Sequence, residues 1–289
     1  LIIADLVRFG RCKASNVPQD KILALRELCR SRSYLIDTAA DLKRKLIALL
    51  DRIFPEYESL FDPVFGKASI AVLRKYPTPQ KIKNAHLGKL TELLMESSGG
   101  HFGEWKARQL KEAAQNSFGI DDSCGVYSTL LGMFLEQILS LTDQADSLEK
   151  QIASLLKEFD SQLTSIPGIG TVLAAMILSE IGNISRFSSS DKLLAYAGLD
   201  PSVKQSGEFS SNQNRMSKRG SPYLRRAIWL ASTVAVQCDP MFQAYYEKKT
   251  SEGLHYMNVI GHVSRKMTAV IFAVLRDGQP YQPILQSAG

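Results

Sequence analysis

Two long stretches of the chain repeat apolar residues at alternating steps of three and four. Such a repeat keeps one narrow apolar seam along a helix, which is what a coiled coil requires. The sequence therefore predicts two long helices that pack on each other within one chain or pair between chains. The seam positions are Leu25, Leu28, Arg32, Leu35, Ala39, Leu42, Leu46, Leu49 and Ile53, and then Tyr127, Leu131, Phe134, Ile138, Leu141, Ala145, Leu148, Ile152, Leu155 and Phe159.

Start and stop signals predict further helices in the second half of the chain. Ser221-Pro222 and Asp239-Pro240 each combine a capping side chain with a first-turn proline, which marks a helix start. Another helix is predicted from Ser189 or Ser190 to a stop at Gly198. No stretch shows convincing strand alternation. We therefore predict a mostly α fold, with long coiled-coil helices followed by an all-α C-terminal domain.

The pattern also predicts the division of the chain into domains. Residues 21–160 form the coiled-coil region, which carries a helical insertion at about 54–126. The texture changes near Thr164, and residues 161–289 form the C-terminal domain. A chain of 289 residues has the length for two domains.

Charge is distributed unevenly along the chain. The net charge is +5 over residues 1–126, −4 over 127–160 and +5 over 161–289. The two basic parts fit a polyanionic partner. In the insertion, a solvated basic face is favoured over a nucleic-acid contact surface for a set of six residues. These are Lys67, Arg74, Lys75, Lys81, Lys83 and Lys89.

Cysteine and histidine spacing gives no sign of a metal site. The four cysteines show no CxxC spacing, and the four histidines form no cluster with the spacing of metal ligands. No apolar run has the length of a membrane helix, so no membrane partner is expected. We predict a cytoplasmic protein without metal ligands of its own.

The segment Ile166-Pro167-Gly168-Ile169-Gly170 is interpreted as the hairpin of a helix-hairpin-helix. Glycines let the backbone turn tightly, and the following helix offers unpaired N–H groups to a phosphate. Such a motif binds the phosphate backbone of a nucleic acid without recognising its base sequence. Gly168, Gly170 and Thr171 are therefore candidate nucleic-acid-binding residues, and the alternative is a plain interhelical turn.

A basic loop follows in the C-terminal domain. Between Arg215 and Arg226 there are five basic residues and no acidic one. Such cations suit phosphate oxygens, and a serine hydroxyl attacks phosphorus if its proton is removed and the developing charge is neutralised. The candidate nucleic-acid-binding residues here are Lys204, Arg215, Lys218, Arg219, Arg225 and Arg226. Composition does not choose among Ser206, Ser210, Ser211, Ser217 and Ser221, although Ser221 is best explained as a helix cap and Ser210 and Ser211 as loop polarity.

The run from Ile166 to Arg226 resembles the C-terminal domain of the insertion-sequence one-ten (IS110) family, the DEDD-type transposases guided by a bridge RNA. Several motifs carry the resemblance in order, and together they cover most of residues 161–285. They are IPGIG at 166–170, SEIGNISRF at 179–187, AYAGLDPSVKQSG at 195–207, SKRGSPYLRRA at 217–227 and GHVSRKMTAVIFAVLRDGQPY at 261–281.

The resemblance implies a two-part active site. In the family, a RuvC-like domain supplies four acidic residues that hold Mg²⁺, and the C-terminal domain supplies a serine that forms a transient 5′-phosphoserine link to DNA. The Ser-Gly motif places this serine at Ser206. Residues 1–20 are interpreted as the tail of the RuvC-like domain, so no acidic residue is assigned to Mg²⁺, Asp5 and Glu27 included.

The resemblance further implies the partners: donor and target DNA, a bridge RNA, and copies of the same chain in a homodimer or homotetramer. Ser206 without the Mg²⁺-binding carboxylates is expected to be inert, because a metal lowers the pKa of an attacking hydroxyl. Two other functions stay open. One is a non-catalytic nucleic-acid-binding and oligomerisation module, and the other is a base-flipping glycosylase, which resembles this chain only at the hairpin.

Overall fold

The computed structural model describes residues 20–201, 205–206, 209–210 and 216–283, and for 205–206 and 209–210 it describes the backbone alone. The predicted mostly α fold is confirmed. The helices are α1 Asp20–Ile53, α2 Tyr57–Leu60, α3 Lys67–Lys75, α4 Pro79–Asn84, α5 Leu87–Ser98, α6 Glu104–Asn116, α7 Val126–Leu156, α8 Thr171–Ile181, α9 Ser190–Ala197, α10 Pro222–Cys238, α11 Pro240–Ser251 and α12 Tyr256–Asp277, with 3-10 turns at Gln162–Ser165 and Ile184–Arg186.

A minimal strand pair departs from the expectation of no strands. Strand β1 (Gln205–Ser206) pairs antiparallel with β2 (Phe209–Ser210). Each strand has two residues, which is too short to show as alternation in the sequence.

The chain folds as two compact units. The terminal unit comprises Leu1–Ser31 and Leu148–Gly289, and the central unit comprises Arg32–Ser147. Each unit has its own apolar core. One end of α1 and one end of α7 contribute to each of the two cores. The predicted division into residues 21–160 and 161–289 follows sequence order rather than compactness, and it stays a prediction.

The predicted seams face the two cores. None of the seam positions of α1 and α7 is exposed. Leu25 and Ile152 are fully buried in the terminal unit, and Leu46, Leu131 and Ile138 are buried in the central unit. At these positions, the residues with three-four spacing pack into cores within the chain. The supercoil of a coiled coil stays a prediction.

The predicted helix boundaries are confirmed by cap geometry. Ser189 accepts a hydrogen bond from the Lys192 N–H, and Gly198 ends α9 in the left-handed region at φ 67°. Ser221 caps α10 and Asp239 caps α11, each followed by proline in the first turn. Capping satisfies N–H groups that a helix start otherwise leaves unpaired. No helix in the described ranges is long and apolar enough to cross a membrane.

Candidate nucleic-acid interface

The basic segment, defined here as residues 216–226, is fastened to the C-terminal end of α9. The Ser217 N–H donates to the Asp200 carbonyl at 2.8 Å, and the Lys218 N–H donates to the Gly198 carbonyl at 3.0 Å. The Ser217 hydroxyl also donates to the Asp200 carboxylate. At the end of this run, the Ser221 N–H donates to the Tyr196 carbonyl at 3.0 Å. The backbone of Ser217–Ser221 is therefore held at several points.

The close approach of these two stretches requires glycine. A Cβ on Gly220 would lie 1.8 Å from the Tyr196 carbonyl oxygen, and one on Gly198 would lie 2.8 Å from the Gly220 nitrogen. Lys218 has φ 54°, the one positive value among the described residues that are not glycine. Such a conformation persists only where the surroundings impose it, and it often marks a functional segment.

The basic side chains of this segment differ in their surroundings. Lys218 and Arg219 are exposed, and neither forms an ion pair with any carboxylate that the structure describes. Arg225 is half-buried, and its Nη1 donates to the Ala197 carbonyl at 3.2 Å, at the end of α9. Arg226 is exposed on α10. The segment thus presents Lys218 and Arg219 to solvent on an anchored backbone, while Arg225 serves as a cap.

In sequence, Ser206 lies between the end of α9 and the basic segment that is hydrogen-bonded to it. Pro201 and Met216 form an antiparallel bridge, so the two described residues that flank the Ser206 segment, residues 202–215, lie side by side at the start of the basic segment. On the backbone, Ser206 pairs with Phe209. The predicted binding residues Lys204 and Arg215 lie outside the described residues.

Arg186 is a cation that the sequence reasoning missed. Its guanidinium lies 5.0 Å from the ring centroid of Phe187 and 4.9 Å from that of Tyr196. It is exposed, and Tyr196 is the residue whose carbonyl receives the Ser221 N–H. Aromatic faces attract and orient a guanidinium. The Arg186-Phe187 pair in SEIGNISRF was its only sequence signal, because the Tyr196 ring arrives from another helix.

The predicted hairpin has mixed surroundings. Gly168 has φ 86°, and a Cβ there would lie 2.4 Å from the Ala231 carbonyl oxygen of α10, so packing alone requires glycine. Gly170 precedes α8 as its N-cap and Thr171 is exposed, with open space around Gly170. The helix before the hairpin is only the 3-10 turn Gln162–Ser165. The helix-hairpin-helix therefore stays a prediction, and its accessible part is Gly170 and Thr171.

A buried carboxylate lies behind the basic segment. Glu180 is 1% exposed, and both of its oxygens accept hydrogen bonds from Arg30 of α1, at 2.7 and 3.0 Å. The hydrogen bond to Glu180 raises the pKa of the Arg30 guanidinium. The Ser221 hydroxyl also donates to Glu180, at 2.8 Å. No sequence pattern pointed to this group, because Arg30 and Glu180 are 150 residues apart.

The described residues do not fit a Mg²⁺ site. Over these ranges no three His, Cys, Asp or Glu side chains are grouped so that they would hold a metal ion. Glu180 is already matched by a guanidinium and a hydroxyl. Asp200 accepts from Ser217.

Comparison with known proteins matches two segments of the chain to transposases. Residues 160–247 match the model of the transposase IS116/IS110/IS902 family, and residues 1–55 match a second transposase model, that of the DEDD IS110 type. The IS116 insertion-element 44.8 kDa protein of Streptomyces clavuligerus is 28% identical over an alignment of 297 positions, gaps included, which covers 99% of this chain and 73% of that protein.

Two further relatives match smaller shares of their own length. The IS110 insertion-element 43.6 kDa protein of Streptomyces coelicolor is 26% identical over 252 residues, which are 85% of this chain and 62% of that protein. The pilin gene-inverting protein of Moraxella bovis is 31% identical over 153 residues, 50% of this chain and 48% of its own length. The chain thus spans about half to three quarters of these relatives.

Proposed function

We propose that the chain is an insertion-sequence transposase of the IS116/IS110/IS902 family, as its two matched segments and its similarity to the IS116 protein support, and that it takes part in cleaving and rejoining DNA strands with Ser206 as the nucleophile. The observation that carries the proposal is the anchored basic segment beside the bridged ends of the Ser206 segment. The side chains of Lys218 and Arg219 are exposed there, and their positive charge suits a phosphate.

The proposed step is a phosphoryl transfer to serine. The Ser206 oxygen forms a bond to phosphorus, the bond from phosphorus to the 3′ oxygen breaks, and a 5′-phosphoserine and a free 3′ hydroxyl result. Rejoining is the reverse attack by a 3′ hydroxyl. Cations beside the phosphate stabilise the negative charge that develops on its oxygens. We assign that role to Lys218 and Arg219, with Arg226, Lys204 and Arg215 as backbone contacts.

We include Mg²⁺ in this proposal because the family implies it, and the described residues provide no site for it. The DEDD type is named for acidic residues, and such carboxylates would supply a metal that polarises the phosphate. The described residues form no such group.

The proposed partners are donor DNA, target DNA and a bridge RNA, on a homodimer or homotetramer in the cytoplasm. Recombination as the reaction class is supported by the relative from Moraxella bovis, which is named for inverting a pilin gene. Gly170 and Thr171 add a contact to the phosphate backbone at the start of α8, because helix N-termini favour phosphate. The positive charge of the basic segment suits both nucleic acids.

The test is a trapping experiment on the protein at its natural full length, with bridge RNA, Mg²⁺ and labelled DNA. Ser206→Ala is expected to abolish strand cleavage and the covalent protein–DNA adduct while nucleic-acid affinity stays within about twofold, since one neutral hydroxyl contributes little to phosphate affinity. Ser210→Ala, in the paired strand β2, is the matched control and keeps both.

Mass spectrometry of the trapped adduct then identifies the linked residue. An adduct at Ser206 supports the proposal. Cleavage that persists in Ser206→Ala overturns the assignment of the nucleophile. Salt-sensitive binding without any adduct, in the wild-type protein as well, would instead support the non-catalytic nucleic-acid-binding module.

A further inference from the structure

We infer that Glu180 is a positioning residue for the basic segment: with Arg30 and Ser221 it forms a latch that fastens the start of α10 to α1. The inference rests on the proposed function, since it gives the latch the task of presenting Lys218 and Arg219 to DNA. The latch also joins the two matched segments, because Arg30 lies within residues 1–55 and the other two lie within 160–247.

Burial shows that the latch is a specific structure. Glu180 is 1% exposed, so its charge is separated from water and depends on its partners. Arg30 donates through Nε to one carboxylate oxygen at 2.7 Å and through Nη2 to the other at 3.0 Å. The Arg30 guanidinium also lies 4.9 Å from the ring centroid of Tyr223, the second residue of α10. A paired fork of this kind fixes orientation as well as distance.

Ser221 is the point at which the latch reaches the basic segment. Its hydroxyl donates to Glu180 at 2.8 Å and accepts from the Leu224 N–H at 3.1 Å, so one oxygen serves both the latch and the cap of α10. Its own N–H is held by the Tyr196 carbonyl. Tyr196 in turn donates its hydroxyl to the Glu180 carbonyl at 3.3 Å. Ser221 is thus linked to Glu180 twice: directly through its hydroxyl, and indirectly through its N–H and Tyr196.

The neighbouring backbone is packed too tightly to adjust to a shift of Ser221. Gly220 packs against the Tyr196 carbonyl so closely that no Cβ fits, and Lys218 occupies a left-handed conformation. A displacement of Ser221 is therefore passed on to Lys218 and Arg219. Misplacement of a positioned group by about 1 Å is enough to cost a phosphoryl transfer about a hundredfold in rate.

The chain offers two matched controls. Arg26 lies one turn before Arg30 on α1 and donates from Nε and Nη2 to the Ser179 carbonyl, at 2.9 and 2.6 Å, but does not touch Glu180 or Ser221. Ser189 caps α9 as Ser221 caps α10, but forms no latch. Arg26→Met thus repeats the loss of an α1 guanidinium, and Ser189→Ala repeats the loss of a serine cap.

The experiment measures single-turnover DNA cleavage at saturating DNA by the full-length protein with bridge RNA and Mg²⁺. Glu180→Gln and Ser221→Ala are expected to slow cleavage by about tenfold or more, and their double variant is expected to be no slower than the slower single variant. Ser221→Thr, which keeps the hydroxyl, restores the rate. Arg26→Met and Ser189→Ala stay within about twofold.

Hydrogen exchange provides a readout that needs no catalysis. The amides of Ser217, Lys218 and Ser221 are expected to exchange faster in Glu180→Gln and Ser221→Ala but not in the two controls. Arg30→Lys, which keeps the charge and loses the fork, replaces Glu180→Gln if that variant does not fold. Unchanged exchange and cleavage in the latch variants, equal losses in the controls, or additive losses in the double variant would overturn the inference.

The failure of the proposed function gives a different result. If Ser206→Ala still cleaves, the nucleophile is wrong whatever the latch variants do. If Ser206→Ala is inactive while Ser221→Ala cleaves and exchanges as the wild type does, only the latch is wrong.

Discussion

The terminal and central units differ in net charge. The terminal unit, Leu1–Ser31 with Leu148–Gly289, has 21 Lys and Arg against 14 Asp and Glu, a net charge of +7. The central unit, Arg32–Ser147, has 14 against 15, a net charge of −1. Over the described residues alone, the terminal unit still has 16 Lys and Arg against 12 Asp and Glu, a net charge of +4. Nucleic acid is expected to bind that unit, because its charge favours a polyanion.

The two units also use their basic residues differently. In the central unit, Arg74 pairs with Glu136 at 2.8 Å, and the Lys111 ammonium donates to the carbonyls of Lys83 and Ala85 at the end of α4. The Lys106 ammonium lies 5.1–5.5 Å from the centroids of three aromatic rings, and desolvation lowers its pKa. These cations stabilise the unit itself. In the terminal unit, Lys218 and Arg219 are held out on a fixed backbone.

The comparison shows that the number of basic residues in a stretch does not identify a binding surface. What distinguishes the basic segment is a backbone fixed by Gly198, Asp200 and Tyr196, from which side chains reach solvent. A fixed backbone reduces the entropy lost when the side chains order on a phosphate.

The largest effect that we predict concerns Gly168. Gly168→Ala places a Cβ 2.4 Å from the Ala231 carbonyl oxygen at a φ of 86°, so it is expected to lower the free energy of unfolding by about 3 kcal/mol or more. Gly170→Ala meets open space and is expected to change it by about 0.5 kcal/mol. Chemical denaturation measures both. Equal losses of unfolding free energy in the two variants would contradict the conclusion that Gly168, and not Gly170, is required by packing.

The second prediction tests the two kinds of basic residue directly. Lys218→Ala with Arg219→Ala is expected to weaken DNA binding about 10- to 100-fold at about 0.1 M salt and to reduce the slope of log affinity against log salt by about 2. Lys83→Ala with Lys89→Ala removes the same charge from exposed helix positions in the central unit. Affinity titrations at several salt concentrations should show little change for this control pair, and an equal loss would remove the distinction between the units.

The smallest predicted effect is on an exposed ion pair of the central unit. The side chains of Arg74 and Glu136 are 55% and 59% exposed, so solvent screens their attraction. Arg74→Ala is expected to cost about 0.5 kcal/mol of unfolding free energy and to leave DNA affinity unchanged. Thermal unfolding and the same titration would check it. A clear drop in affinity would show that the insertion contacts DNA after all.

Much of the fold was predictable because its signals are local. The caps at Ser189, Ser221 and Asp239 act within three residues, and the seam of α1 repeats within two turns. The serine and the basic loop were found through adjacent residues in recognisable motifs, and their roles remain predictions. Arg186 was missed because the second ring that orients it, Tyr196, belongs to another helix.

The sequence by itself determined the two long helices, the starts of α9, α10 and α11, and the run of cations after the Ser-Gly dipeptide, since periodicity, capping and composition are properties of neighbouring residues. Only the tertiary structure decided which of the described cations contact carboxylates, carbonyls or aromatic rings and which are exposed to solvent. It brought Arg30 to Glu180 across 150 residues and placed Gly168 against α10. Pairing and packing depend on distances between residues far apart in the chain, and no local pattern records those distances.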